Sequence, residues 1–278
     1  MSPIGGPAPL SGIQQAGRHS ALVRDARKLV RSAAERRRRR VVVVEGVSVA
    51  REILRGPFQV LHALASPRLA AHPEAPDLLD ALERLGNRAR GVDDRTFSSI
   101  SDVESSQGIL LIINRPRWDL EVVLASTPAQ LVLVAHGVQD PGNVGALARI
   151  AEGAWATALI CIGGADPWSP KAVRASAGSI PRLPVVESKQ APAILRRLAA
   201  AGLRLVGTTP HDAPSYRDAE LDGPMAFIVG SEGDGLPRRI EQLLDLMVSI
   251  PMKEGVESLN VASAAAVILF HRRPPEPA

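Results

Sequence analysis

The sequence predicts an α/β protein in two units, the second built on a mostly parallel sheet with helices on both faces. Two observations carry this. Apolar runs of strand length alternate with helix-period segments along most of the chain, the pattern of strands joined by crossover helices. That alternation breaks once, at "RPRWDLEVVLASTP" (115–128), where prolines and polar residues mark a linker. With 278 residues, 45% of them hydrophobic and 22% charged, the chain has material for two cores.

Residues 1–17 are rich in Gly, Pro and Ser and are expected to be disordered. Ser20 to Arg40 follows a helical pattern, but like charges four apart repel. This basic arm (1–40) should be marginal alone and firmer against phosphates. A first domain then spans 41–114. Val41 to Val44 is a buried strand, and after Glu45-Gly46 a helix puts Val47, Ala50, Ile53 and Leu54 on one face before Gly56-Pro57 stops it. "FQVLHALAS" is a second strand, and "PDLLDALERLG" a helix with Leu78, Leu79, Leu82 and Leu85 inside and Gly86 as its cap. A short segment through Val92, a helical turn around Phe97 and Ile100, and the strand "GILLII" complete it.

The second domain spans 129–278. Strands are expected at "QLVLVAHGV", "TALICIG", "LPVV", "LRLVGT", "MAFIVG" and "MVSI". Helices are expected at Val144–Gly153, Lys171–Ala177, Pro192–Ala201 and Leu236–Leu244. The last passage, Met247 to Phe270, organises the rest. Pro251 stops its strand, a polar loop follows, and Ser258 stands where an N-cap would be. From Leu259 on, the residues are small or apolar on every side. Such a helix should be buried, part of it against another copy of the chain.

In parallel sheets ligands sit beyond the carboxyl ends of the strands. Three loops there offer Gly or Pro with small polar residues: "VGTTP" (206–210), "VGSEGDGL" (229–236) and "IPMKEGVESLN" (250–260). Each is a recipe for backbone groups gripping a small ligand, and each singly is also ordinary turn chemistry. Gly230, Gly233 and Gly235 do not have dinucleotide-fingerprint spacing, and no Gly-Lys-Ser/Thr occurs. A fourth loop, "HGVQDPGNVGALARIAEGAWA", puts Asn143 at a helix start and Arg149 six residues on.

Composition excludes several classes. Aromatics make up 3%, too few for a base-stacking platform. The apolar stretch Ala264 to Phe270 is far short of the ~20 residues that span a bilayer. The single cysteine, Cys161, rules out an internal disulfide and suits a reducing compartment, the cytoplasm. Six scattered His without Cys or carboxylates at ligand spacing argue against a metal site. Charge is uneven: residues 1–40 hold ten Lys/Arg against two acids, +8, so a chain total of +4 leaves −4 for the remainder. That asymmetry points to a polyanionic partner, most often nucleic acid; a solvated segment and an Arg-rich transit peptide are the alternatives.

"DPGNVGALARIAEGA", "IVGSEGDGL" and "IPMKEGVESLNVASAAAVILF", in that order, resemble the three motifs of the SpoU (TrmH) RNA 2′-O-ribose methyltransferases. "DPWSPKAVRASAGSIPRLPV" is similar to the stretch between the first two, and the first domain, ending "DVESSQGILLII", to the family's substrate-binding domain. The resemblance covers about 131–270 and implies a SPOUT-type catalytic domain with a trefoil knot, S-adenosylmethionine as methyl donor, and a homodimer. By resemblance the donor contacts fall on Gly230, Ile250 and Leu259, with Thr208, Gly233 and Met252 close by. The catalytic and RNA-orienting positions fall on Asn143, Arg149, Glu232, Ser258 and Asn260. Ala146 and Ile150 stand where relatives often have Thr. Arg149 keeps its proton at any ordinary pH, so the expectation is a phosphate clamp and charge stabiliser, with Glu232 as an orienting group and no metal. Large-subunit ribosomal RNA is the expected substrate; tRNA, or a non-catalytic RNA-binding role, are the other readings.

Overall fold

The computed structural model describes residues 10, 12–125, 131–210 and 213–272, which form two compact units. The first is the chain up to Pro116 together with Trp168–Arg174; the second is Arg117–Pro167 and the chain from Ala175.

In the first unit the order is α1 (Ala21–Arg31), α2 (Ala33–Arg39), β1 (Val41–Glu45), α3 (Val47–Arg55), β2 (Val60–Ala65), α4 (Ala75–Arg84), β3 (Ala89–Gly91), α5 (Asp94–Ile100) and β4 (Ile109–Asn114). The sheet runs β1-β4-β2-β3, with β4 antiparallel to both neighbours and β3 parallel to β2. Ser20 caps α1 by accepting from Val23 N. Val23, Ala26, Leu29 and Val30 then pack into one core with Val41, Val43, Leu64, Phe97, Ile100, Leu110 and Ile112. Residues 20–40 therefore belong to this unit and are not a separate arm. The charge repulsion that made the segment look marginal is met locally. Arg36 is buried and donates to Leu29 O (2.9 Å) and Val30 O (3.1 Å), closing the last turn of α1. Arg38 and Lys28 both meet Glu35, at 2.7 and 3.0 Å, and Arg39 pairs with Asp25. The expected disorder stops earlier than residue 17. Leu10 and Ile13 are buried, and Ala16 N donates to Gly91 O at 2.8 Å. Residues 1–9 and Ser11 lie outside the described residues.

The second unit continues with α6 (Leu120–Ala125), β5 (Leu131–His136), α7 (Pro141–Gly153), β6 (Ala158–Ile162), α8 (Pro170–Ala175), α9 (Ser179–Arg182), β7 (Val185–Ser188), α10 (Ala191–Ala200), β8 (Arg204–Thr208), β9 (Met225–Val229), α11 (Arg238–Glu241), β10 (Leu246–Val248) and α12 (Val261–Leu269); most of α8 groups with the first unit. Helix α6 corrects the linker expected at 115–128: Asp119 Oδ1 accepts from Val122 N, and Leu120 and Val123 are buried in the core of this unit. Residues 126–130 and the Pro-rich end, 273–278, lie outside the described residues.

Six parallel strands lie in the order β10-β8-β9-β5-β6-β7. Alternate residues face opposite ways. Val132, Val134, Ala158, Ile160, Ile162, Ala226 and Ile228 point into a core with α6, α10 and α11. On the other side α7 packs on β5 and β6, and α12 on α7. The sheet order reverses between β5 and β9, so the loops at its carboxyl edge converge around the middle strands.

Candidate active site

Three of those loops wall a cavity of about 210 Å³: Thr208–Pro210 after β8, Gly230–Gly235 after β9, and residues of the 248–259 stretch beyond β10. Its apolar side comes from Val248, Ile250, Met252, Leu259, Val261 and Ile268. Thr208, Gly230, Gly233, Ile250, Met252 and Leu259 all line it, as do Glu232 and Ser258.

Gly230 is required by geometry. A Cβ there would lie 2.1 Å from Gly235 C and 2.3 Å from its O, because the loop folds back on itself through paired Ser231 and Gly235 hydrogen bonds of 3.1 Å. The clash would be backbone on backbone, which no side-chain rotation relieves.

At the mouth of the cavity a chain of hydrogen bonds joins three elements. Asn260 Nδ2 donates to Asn143 Oδ1 at 3.0 Å, and Asn143 Nδ2 donates to Glu232 Oε1 at 2.8 Å. Glu232 also accepts from the backbone N–H of Gln139 (3.1 Å) and Asp140 (3.4 Å). Burial raises the Glu232 carboxyl, but the hydrogen bonds from Asn143, Gln139 and Asp140 outweigh it and hold the group below the ordinary carboxylate range. It stays ionised down to low pH, and its oxygens are already engaged.

The helix start also differs from expectation. Asn260, not Ser258, caps α12, accepting from Ala262 N (2.9 Å) and Ser263 N (3.3 Å). Both residue types suit the cap, and the helix begins one residue beyond Asn260. Ser258 is left exposed in the loop, its hydroxyl unpartnered among the described residues. Helix α7 begins three residues before the expected Val144, with Asp140 as its cap through Gly142 N (2.9 Å) and Pro141 at its first position.

Arg149 is not brought to this cluster. It is exposed on α7, makes no hydrogen bond or ion pair among the described residues, and lines no part of the cavity. Six residues separate it from Asn143, about one and two-thirds turns or ~9 Å along the helix, so the two side chains leave different faces. The backbone N–H groups of Gln139 and Asp140 were not foreseen as part of the site. No residue type signals them, since every residue but proline offers that donor.

Residues 130–270 match the model of the SpoU rRNA Methylase family. The chain belongs to that family. It is 31% identical over 252 residues to the 23S rRNA (guanosine(2553)-2′-O)-methyltransferase RlmP of Bacillus subtilis (strain 168), covering 90% of this chain and 95% of that protein. It is 33% identical over 190 residues to the 23S rRNA (guanosine-2′-O-)-methyltransferase RlmB of Burkholderia, over 66% of this chain and 76% of that one. Among solved structures, the SpoU methyltransferase AviRb from Streptomyces viridochromogenes in complex with AdoMet is 26% identical with a TM-score of 0.77, over 91% of this chain and 96% of AviRb. These likenesses extend well outside the matched SpoU region, into the first unit. The SpoU family member described here has no group of three potential metal ligands, and no helix long and apolar enough to cross a membrane, among its described residues.

Proposed function

We propose that this SpoU enzyme transfers the methyl group of S-adenosylmethionine to a ribose 2′-hydroxyl in large ribosomal RNA, as a cytoplasmic homodimer. The observation that carries the reading is the Glu232–Asn143–Asn260 chain at the mouth of an apolar cavity walled by three strand-end loops. The named relatives act on 23S rRNA guanosine, and AviRb holds AdoMet.

The cavity suits the donor. Val248, Ile250, Met252 and Leu259 offer an apolar bed for an adenine and a thioether chain, loop backbone supplies polar contacts, and the Glu232 and Asp234 carboxylates favour a cation. Thr208, Gly230, Gly233, Ile250, Met252 and Leu259 are proposed to hold it. S-adenosylmethionine supplies an electrophilic methyl on a sulfonium, so the C–S bond breaks, an O–CH₃ bond forms, and sulfur leaves as a neutral thioether.

The chain must then position a poor nucleophile and manage its proton. Asn143, held at both ends, fixes the 139–143 loop against Glu232 and the start of α12. Ser258, with its hydroxyl free at the cavity, is assigned to the 2′-hydroxyl. Glu232 is an orienting group and no general base, because three donors occupy its carboxylate and lower its basicity. Arg149, which stands off the cluster, clamps an RNA phosphate and through it offsets the charge developing on the alkoxide, and the hydroxyl proton passes to a phosphate oxygen or to water.

The dimer reading rests on α12 and its neighbour. Trp155 and Phe270 are each 56% exposed and Val267 39%, which leaves an apolar face at the ends of α7 and α12. The knot reading is supported by the loop before β9. Pro214–Tyr216 bond to Ser249 beyond β10, and Arg272, after α12, donates to Leu221 O and Gly223 O at 2.8 Å. Purified protein with tritiated S-adenosylmethionine should label a 23S rRNA transcript and leave tRNA transcripts unlabelled. Sedimentation at micromolar concentration should give a dimer, and a monodisperse monomer would sink that part. Gly230→Ala should weaken donor binding at least tenfold by calorimetry while the first unit melts unchanged. Unaltered donor affinity would show the loop is not part of the donor site.

A further inference from the structure

A second cavity, of about 570 Å³, lies against the first and shares the Ser231–Gly235 loop as its wall. Its volume is within the ~300–1,000 Å³ of small-molecule sites, and its character is different. The far wall is polar, formed by His136, Gln139, Asp140 and Asn143 at the carboxyl end of β5 and the start of α7. Three of the polar groups around it are spoken for: Glu232 by three donors, Asn143 at both ends, and Asp140 as the cap of α7. Three are open to a ligand. The Asp234 carboxylate and the Gln139 side-chain amide have no side-chain hydrogen bond among the described residues, and the His136 imidazole engages only its own backbone. Burial, together with the charge of Arg239, holds His136 below the usual imidazole range against the pull of its own backbone carbonyl. It is then neutral near pH 7, with one donor and one acceptor.

We propose that this second cavity receives the base of the nucleotide being methylated, with Gln139 and His136 reading its edge. The assignment rests on the reading of the protein as a ribose methyltransferase. Charge decides base against phosphate: the cavity carries the carboxylates of Asp140, Glu232 and Asp234 and no Lys or Arg on its lining, so a phosphate would be repelled. An unstacked base is recognised by paired donors and acceptors on its edge, which an amide and a neutral imidazole both supply. Guanine fits best, because its N1–H and 2-amino donors would face the open Asp234 carboxylate while O6 takes the Gln139 amide N–H. A base seated there leaves its ribose at the shared wall, beside the donor cavity.

The test is single-turnover methylation of a 23S rRNA transcript by the full-length protein, with donor affinity measured in parallel and the methylated nucleotides mapped. Gln139→Ala and His136→Ala should each lower kcat/KM by about 10- to 100-fold, chiefly through KM, keep donor Kd within twofold, and spread the methyl to other bases. His136→Asn, which retains a donor and an acceptor, should recover part of the loss. Unchanged rates with unchanged nucleotide choice would overturn the proposal. So would a donor affinity that falls in step with the rate, which would give the cavity to the donor. Slower transfer with selectivity intact and no rescue by Asn would reduce both residues to structural support and overturn it as well. A wild-type protein that labels no RNA would instead sink the methyltransferase reading itself.

Discussion

Arg149→Ala should fold, bind S-adenosylmethionine as tightly as the unaltered protein, and methylate RNA about 10²–10³-fold more slowly, the loss typical of removing one preorganised charge stabiliser. The expectation of intact donor binding follows from position. Arg149 is exposed on α7 and lines no part of the donor cavity, and neither its removal nor its replacement touches the Glu232–Asn143–Asn260 chain. A deficit confined to turnover would therefore belong to the RNA side, at ~1.4 kcal/mol of transition-state stabilisation for each tenfold. Arg149→Lys separates two mechanisms. A planar fork gripping a phosphate in two places is not replaced by an ammonium, whereas a simple positive charge is. Little rescue by Lys supports the clamp; full rescue reduces Arg149 to a charge. Loss of donor binding in Arg149→Ala, with the fold intact, would place the residue on the donor side of the site.

What the sequence could and could not reveal follows from the range of the interactions. Strand runs such as Val41–Val44 and "GILLII", and the helix face of Leu78 and Leu82 with Gly86 behind it, are written in local periodicity and survive in the structure. The order β10-β8-β9-β5-β6-β7 is not, because the central strands β5, β6 and β9 are buried on both faces and their pattern names no neighbour. The hydrogen bonds that assemble the site link residues 89 and 117 positions apart, beyond any local pattern. Only the family motifs put those residues on one page. Asn260 and Ser258 are both good caps, and the choice between them is set by where α12 starts. In α1 the charge is legible and misleading: Val23, Ala26, Leu29 and Val30 follow a buried helix face, while the four cations of the helix and the Arg36–Arg40 run beyond it dominate the composition.

That correction changes how the basic segment must be tested. Deleting residues 1–40 would strip α1 from its core, and each fully buried Val or Leu contributes roughly 1.5–3 kcal/mol, so a loss of RNA binding would report unfolding. The stripe itself offers a cleaner experiment. Arg24, Arg27, Lys28 and Arg31 stand three and four residues apart along α1, on one face. Arg27 is tied to Ser99 through its Nη2 at 2.7 Å and Nε at 3.2 Å, so it is best left in place. Arg24, Lys28 and Arg31 are exposed, and among the described residues only Lys28 of the three meets a carboxylate, Glu35. Changing these three to glutamine keeps helix propensity and the buried face. If the stripe tracks an RNA backbone, affinity should fall on the order of 100-fold at low salt. Each lost phosphate contact should also remove ~0.7–0.9 from the slope of log affinity against log salt, flattening it by about 2 to 3. Donor affinity and thermal midpoint should not move. The run Arg36–Arg40 should contribute less than its charge suggests, because Arg36 is buried and Arg38 and Arg39 already hold Glu35 and Asp25. A salt slope unchanged in the triple variant, with the fold intact, would show that α1 carries its charge only to stay solvated.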